Sequence, residues 1–275
     1  MIYSDKQYSV ARDQLVSLQK AVATAKERAT DQAWLKQAEV SAHESQIVDI
    51  EAELAEYDLL KSGQVSFSMP LEIFDVTQGS PEWHQCRIGI PTASRFSDVL
   101  AKGEGKMRGR YLRDLAAERL RGTVEEDTYS NAHMERGRLQ EDDARRLYAF
   151  MADVDPVRVG FIRAGRRGCS PDSLIGEDGG LEIKTALGHI QVERLQKGGL
   201  PSEHKAQVQG SLWVTGRTWW DFVSYSPGLP PLIVRVDRDD AYIADLAKAV
   251  DAFNAELDDL VSSLSGAAQF RKAAA

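Results

Sequence analysis

Residues 168–185, GCSPDSLIGEDGGLEIKT, constrain the fold more than any other stretch of the chain. A β-rich segment around Asp172 runs into Gly176, Glu177, Asp178, Gly179 and Gly180, which is hairpin-turn chemistry, and an alternating strand over 181–185 returns beside it. Residues two apart on a strand share a face, so Glu182 and Lys184 project together while Leu181 and Ile183 point to the opposite, core side. The return of the hairpin places Asp172 next to Glu182, which gathers two carboxylates and one ammonium at one spot. A surface ion cluster is the competing explanation, since these residue types are common. The apolar residues alternating with the charged ones argue for a strand built into a core.

Two carboxylates held close together repel each other and favour a divalent cation between them. Hard oxygen ligands with open positions suit Mg²⁺, with Mn²⁺ able to substitute. Such an ion polarises a phosphate and acidifies a bound water. Lys184 cannot ligate a metal while protonated, but it can orient or deprotonate the attacking water and offset charge in the transition state.

The rest of the chain frames this segment. Apolar residues recur at Tyr8, Ala11, Leu15, Leu18, Val22 and Ala25, and again at Val40, Ile47 and Leu54 with Ile50 and Tyr57 offset by three. With a break at 28–30 and Asp31 as N-cap, this predicts an antiparallel helical hairpin over 8–60. The segment 61–70, KSGQVSFSMP, reads as a linker, giving a hairpin extension over 1–65 and a second domain over 66–275. Helix starts are expected at Ser80-Pro81-Glu82 and Thr92-Ala93-Ser94. Further helices are expected over 111–121, 131–151, 189–197, 203–214 and 239–264, with strands over 156–163, 168–175, 181–185, 218–225 and 231–236. That order predicts an α/β fold, a mixed sheet flanked by helices.

Charge bears on the partner. The net charge of −8 speaks against a wholly basic nucleic-acid binder. Its distribution is uneven: residues 1–65 carry 11 acidic and 7 basic side chains, whereas 102–121 carries 7 basic and 3 acidic. A local basic track is therefore expected. Two cysteines, Cys86 and Cys169, form neither a CxxC pair nor the four-thiolate set of an iron–sulfur cluster. With no signal-peptide core and no apolar run near the roughly 20 residues of a membrane helix, a reducing, cytoplasmic setting without membrane contact is expected.

Five blocks in order, EWHQCRIGIPTAS (82–94), GRLQEDDARRLY (137–148), CSPDSL (169–174), GLEIKT (180–185) and AQVQGSLWVTG (206–216), resemble the lambda-exonuclease or YqaJ-type viral recombinase family, within the PD-(D/E)xK, restriction-endonuclease-like nucleases. The resemblance spans about 75–262. It implies a Mg²⁺-dependent exonuclease that degrades one strand of duplex DNA from a 5′ end for recombination by strand annealing. By position it implies Asp172, Glu182 and the main-chain carbonyl of Ile183 as metal ligands, Lys184 as catalytic lysine and Glu141 as an acid close to the metals. It implies Arg87, Ser94, Ser170 and Gln207 as holders of the terminal 5′-phosphate, with Gln209 a lesser candidate. It further implies double-stranded DNA ends as substrate, a homo-oligomer such as a trimeric ring, and a single-strand annealing protein as partner.

Each assignment has a plainer counterpart. Arg87 can stack on Trp83, Glu141 can pair with Arg138 or Arg145, Ser94 and Ser170 can serve as ordinary helix-start and strand-end hydroxyls, and Gln207 can be a solvated helix residue. Cys169 is expected to be a packed residue, His189 a phosphate or structural contact, and Trp213, Trp219 and Trp220 core or sheet-face residues. Two other functions remain open at this point: a RecB-like or restriction-type endonuclease on the same fold, and a catalytically silent DNA-end-binding module.

Overall fold

The computed structural model describes residues 5–28, 32–61, 71–101, 106–124 and 132–273, and the chain divides into two compact units, Met1–Ser68 and Met69–Ala275. The first unit is a helix pair, α1 (Asp5–Glu27) and α2 (Ala33–Lys61). The residues of the two apolar stripes are its least exposed positions, and Ala25, Val40 and Leu54 are buried. Tyr8 stacks on Tyr57 with ring centroids 5.2 Å apart and donates to Asp58 at 2.9 Å. Lys36 donates to the carbonyls of Lys26 and Arg28, supplying cationic partners for the C-terminal end of α1. Asp31 and the linker at 62–70 lie outside the described residues.

The second unit contains β1 (Leu71–Phe74), α3 (Pro81–Cys86), α4 (Phe96–Val99), α5 (Lys106–Arg121), α6 (Ala132–Ala152), β2 (Pro156–Val157), β3 (Phe161–Ala164), β4 (Arg167–Cys169), β5 (Ser173–Ile175) and β6 (Gly179–Thr185). It continues with α7 (Gly188–Lys197), α8 (Lys205–Thr215), β7 (Trp219–Tyr225), β8 (Leu232–Asp237) and α9 (Asp240–Ala273). Ser80 caps α3 by accepting the Trp83 N–H at 3.2 Å, and Pro81 takes the first helical position. The expected mixed sheet flanked by helices is present, five strands in the order β2-β5-β6-β7-β8, and a three-stranded antiparallel sheet in the order β1-β3-β4 accompanies it.

The two long strands expected over 156–163 and 168–175 are each cut in half, and each half joins a different sheet. Gly160 marks the first cut. A Cβ there would sit 2.1 Å from the Val76 carbonyl, so only glycine lets the chain pass. Pro171 marks the second, since it has no N–H for a ladder. The turn after β5 is also shorter than expected. Gly176 takes φ +52°, while Gly179 and Gly180 are strand residues whose Cβ atoms would fall 2.1 and 2.3 Å from the rings of Trp219 and Trp220. These two glycines make room for tryptophan rings and do not turn the chain.

The parallel pair β6 and β7 is covered on both faces, as parallel strands usually are. Leu181, Ile183 and Val223 pack with Ala144 and Tyr148 of α6. Trp220 and Phe222 belong to the larger core with Val208 and Leu212 of α8 and Leu246, Phe253 and Leu257 of α9. Among the described residues no helix is long and apolar enough to cross a membrane.

Candidate active site

Asp172 immediately precedes β5, and its main chain is pinned to β6: its N–H donates to the Leu181 carbonyl at 3.2 Å. Its carboxylate Oδ2 accepts the Ile183 N–H. On a strand the N–H and C=O of one residue point to the same edge, so the Ile183 carbonyl also faces the Asp172 side. Glu182, only 2% exposed, sits on the face of β6 turned towards α8. Its Oε1 is ion-paired with Lys184 Nζ at 2.6 Å and accepts from Gln207 Nε2 at 2.6 Å. Asp172 Oδ1 and Glu182 Oε2 carry no hydrogen bond among the described residues.

The electrostatics match this crowding. Burial pushes the Asp172 carboxyl well above the usual range, and the negative charges of Glu182 and Glu141 push it further, against the pull of Lys184 and the Ile183 N–H. Burial works against the Lys184 ammonium, but Glu182, Asp172 and Glu141 outweigh it and hold the lysine more firmly protonated than usual. A pair of carboxylates in this condition is suited to a divalent cation. Among the described residues no three His, Cys, Asp or Glu side chains converge at metal-ligand range. Two carboxylates could form the side-chain share of a donor set there, completed by a main-chain carbonyl, water and substrate oxygens.

Glu141 does not join the pair directly. It is ion-paired with Arg145, a buried residue one helical turn further along α6. Arg145 also donates to Ser173 Oγ at 3.0 Å, to Asp142 at 2.7 Å and to the Asp172 carbonyl at 3.3 Å. One guanidinium therefore ties α6 to the strand end that carries Asp172. The Glu-x-x-x-Arg spacing was visible in the sequence, but its reach to Asp172 was not.

Of the residues expected to hold a terminal phosphate, Arg87 lies beside Trp83 and Trp83 beside Ser170. The Arg87 guanidinium lies 3.6 Å from the centre of the Trp83 ring, and its buried Nε has no hydrogen-bond partner among the described residues. Burial lowers its pKa, the mark of a cation short of compensation. The Trp83 indole N–H donates to Ser170 Oγ at 3.0 Å and to the Gly160 carbonyl at 3.1 Å. Ser94 is exposed, with its hydroxyl 3.3 Å from that of Thr92. A cleft of about 1500 Å³ is lined by Arg87 and Trp83 together with Glu141, Arg145 and Asp172, so the stacked arginine and the first carboxylate open onto one space. Ser94, Ser170 and Gln207 are not on its wall.

Other expected residues find structural places. Gln209 donates to the Asp237 carbonyl and accepts from the Asp239 N–H, both at 2.9 Å. Cys169 is buried, and burial raises its thiol pKa. Trp220 is fully buried, Trp213 packs against the core, and Trp219 is covered by Arg235 at 3.6 Å. His189 is exposed on α7. Sequence reasoning missed a polar network beside the site, in which Arg194 bridges Ser224 Oγ at 3.0 Å and His204 Nε2 at 3.2 Å, and Ser224 donates to Gln191 at 2.6 Å.

Residues 82–218 match the family model of the YqaJ-like viral recombinase domain. The crystal structure of LHK-Exo in complex with dAMP superposes with a TM-score of 0.65 at 37% identity, covering 69% of this chain and 98% of that one. The crystal structure of the alkaline exonuclease LHK-Exo from Laribacter hongkongensis gives a TM-score of 0.64 at 36% identity, again with 69% and 98% covered. No curated protein matches the chain. With these similarities in sequence and fold, the chain belongs to the YqaJ-like viral recombinase family.

Proposed function

We propose that this protein is a metal-dependent deoxyribonuclease, an exonuclease that degrades one strand of duplex DNA from a 5′ end. The observation that carries the reading is the meeting of Asp172, Glu182 and Lys184 at one strand end, with one carboxylate oxygen of each acid left without a donor among the described residues. Asp172 Oδ1, Glu182 Oε2 and the Ile183 carbonyl would hold Mg²⁺, or Mn²⁺ in its place. Bound there, the ion would supply Lewis acidity at the phosphate and make a water more acidic. Lys184 orients the attacking water for in-line displacement at phosphorus and offsets the charge that builds on the phosphate oxygens. The P–O bond to the leaving strand breaks, and water delivers hydroxyl to phosphorus and a proton to the departing oxygen. Glu141, freed from Arg145, would add a further carboxylate near the ions.

Polarity follows from the Arg87 pocket. A half-buried guanidinium whose Nε–H has no partner among the described residues, stacked on an indole and facing the Asp172 cleft, is a fitting partner for a terminal phosphate. Ser94 and Ser170 are the hydroxyls assigned beside it. The dAMP complex of the related exonuclease favours mononucleotide products. A subunit ring around DNA and an annealing-protein partner, both implied by the family, complete the proposal.

End-labelled duplex bearing either a 5′-phosphate or a 5′-hydroxyl, incubated with Mg²⁺, tests the reading. Mononucleotides released from the 5′ end, faster when it is phosphorylated, are expected. Internal fragments would point to an endonuclease, and intact duplex would leave an end-binding module.

A further inference from the structure

We propose that Gln207 is a positioning residue for Glu182, its amide acting on the carboxylate assigned above to the metal. The proposal rests on the nuclease reading above and adds to it a division of labour among the donors around one carboxylate. Gln207 Nε2 lies 2.6 Å from Glu182 Oε1, the same oxygen that receives Lys184 Nζ at 2.6 Å. The amide hydrogen bond and the ion pair both fall on that oxygen, which restrains the rotation of the carboxylate, while Oε2 carries no hydrogen bond among the described residues.

The two donors are not equivalent. Glu182 is 2% exposed, and an ionised carboxylate so deep needs hydrogen bonds. Lys184 has a second task, at the attacking water and the phosphate, and as its ammonium turns there Glu182 keeps only Gln207. A neutral amide suits what remains, since it donates to the anion without opposing an incoming divalent cation as an ammonium does.

The helix under Gln207 is fixed in place. Val208 and Leu212 are fully buried, and a Cβ at Gly210 would meet the Phe96 ring at 2.4 Å, so α8 packs closely. Gln209 is tied to both sides of the turn after β8. The amide is therefore presented to Glu182 from a fixed backbone, as outer-shell partners of metal ligands usually are.

The test uses the full-length protein with Gln207→Met, which keeps the length and removes the donor, and Gln207→Glu, which keeps the polarity and turns an acceptor towards Glu182. Three quantities are measured: Mn²⁺ affinity by calorimetry without DNA, the Mg²⁺ dependence of cleavage, and the rates on 5′-phosphoryl and 5′-hydroxyl duplex. Thermal melts check that both variants fold. Gln207→Met is expected to weaken Mn²⁺ binding by about tenfold, the lower end for such a partner, and to raise the Mg²⁺ requirement by a similar factor. Both ends should be slowed equally, and Gln207→Glu should be more severely affected. Unchanged Mn²⁺ affinity, with or without a loss confined to the phosphorylated end, overturns the assignment. The unsubstituted protein separates the two levels: if it neither binds Mn²⁺ nor cuts DNA, the nuclease reading fails first, whatever the variants do.

Discussion

Trp83 donates its indole N–H to Ser170 Oγ at 3.0 Å, so the serine oxygen is engaged as an acceptor and its own proton is free to point elsewhere. The same ring carries the Arg87 guanidinium. One side chain thus orients both a hydroxyl and a cation of the proposed phosphate pocket. Trp83→Phe keeps the stacking surface and loses the N–H. It should lower the rate advantage of 5′-phosphorylated over 5′-hydroxyl duplex by roughly fivefold, the worth of about 1 kcal/mol of hydrogen bonding. Ser170→Ala should do the same, and the double variant should lose little more. An unchanged ratio in Trp83→Phe would remove Trp83 from the pocket.

Asp172→Ala and Glu182→Ala should abolish cleavage, and the Asp172 variant should melt at or above the temperature of the unsubstituted protein. Asp172 is a half-buried carboxyl crowded by Glu182 and Glu141, so its removal relieves repulsion and desolvation. Lys184→Ala should slow cleavage by about 10² to 10⁴, the span typical of a positioned acid–base group, while Mn²⁺ still binds in calorimetry. Full activity in excess EDTA would contradict the metal mechanism.

His204 provides a pH test away from the carboxylates. Its ring stacks on Phe222 at 5.0 Å and accepts from Arg194, and it faces Lys184, Arg194 and Glu203. Burial, with help from Lys184 and Arg194, lowers its pKa from 6.5 to about 4. Between these values the folded state binds fewer protons than the unfolded one, so stability rises with pH across the window and is lost as pH falls from 6.5 towards 4. The loss amounts to about 3 kcal/mol at most. His204→Gln keeps an acceptor and does not titrate. Its melting temperature should fall less than that of the unsubstituted protein between pH 7 and pH 4.5, and parallel melting curves across that range would count against the buried neutral ring.

The helix pair is proposed to serve assembly or partner docking and not cleavage. Deleting residues 1–65 should leave Mg²⁺-dependent cleavage largely intact and change the mass seen by light scattering or the binding of an annealing protein. A folded but inactive truncation would place the hairpin in the active unit. A monomer at working concentration in the full-length protein would dispose of the expected ring.

Local pattern alone determined the helix stripes, the hairpin return, the shared face of Glu182 and Lys184 and the neighbourhood of Asp172, because periods of 3.6 and 2 residues and turn chemistry act over a few residues. The division of 156–175 between two sheets was not legible, since it depends on Gly160 meeting the Val76 carbonyl more than eighty residues away in sequence. Gly179 and Gly180 look like a turn until Trp219 and Trp220 of the neighbouring strand are packed against them. Asp172, Glu182 and Lys184 could be named from spacing because strand geometry fixes where they point. The partners of that set, Gln207 on Glu182 and Arg145 on the Asp172 carbonyl, were decided only by the tertiary structure, in which α8 and α6 close on the sheet and bring each donor within hydrogen-bond reach.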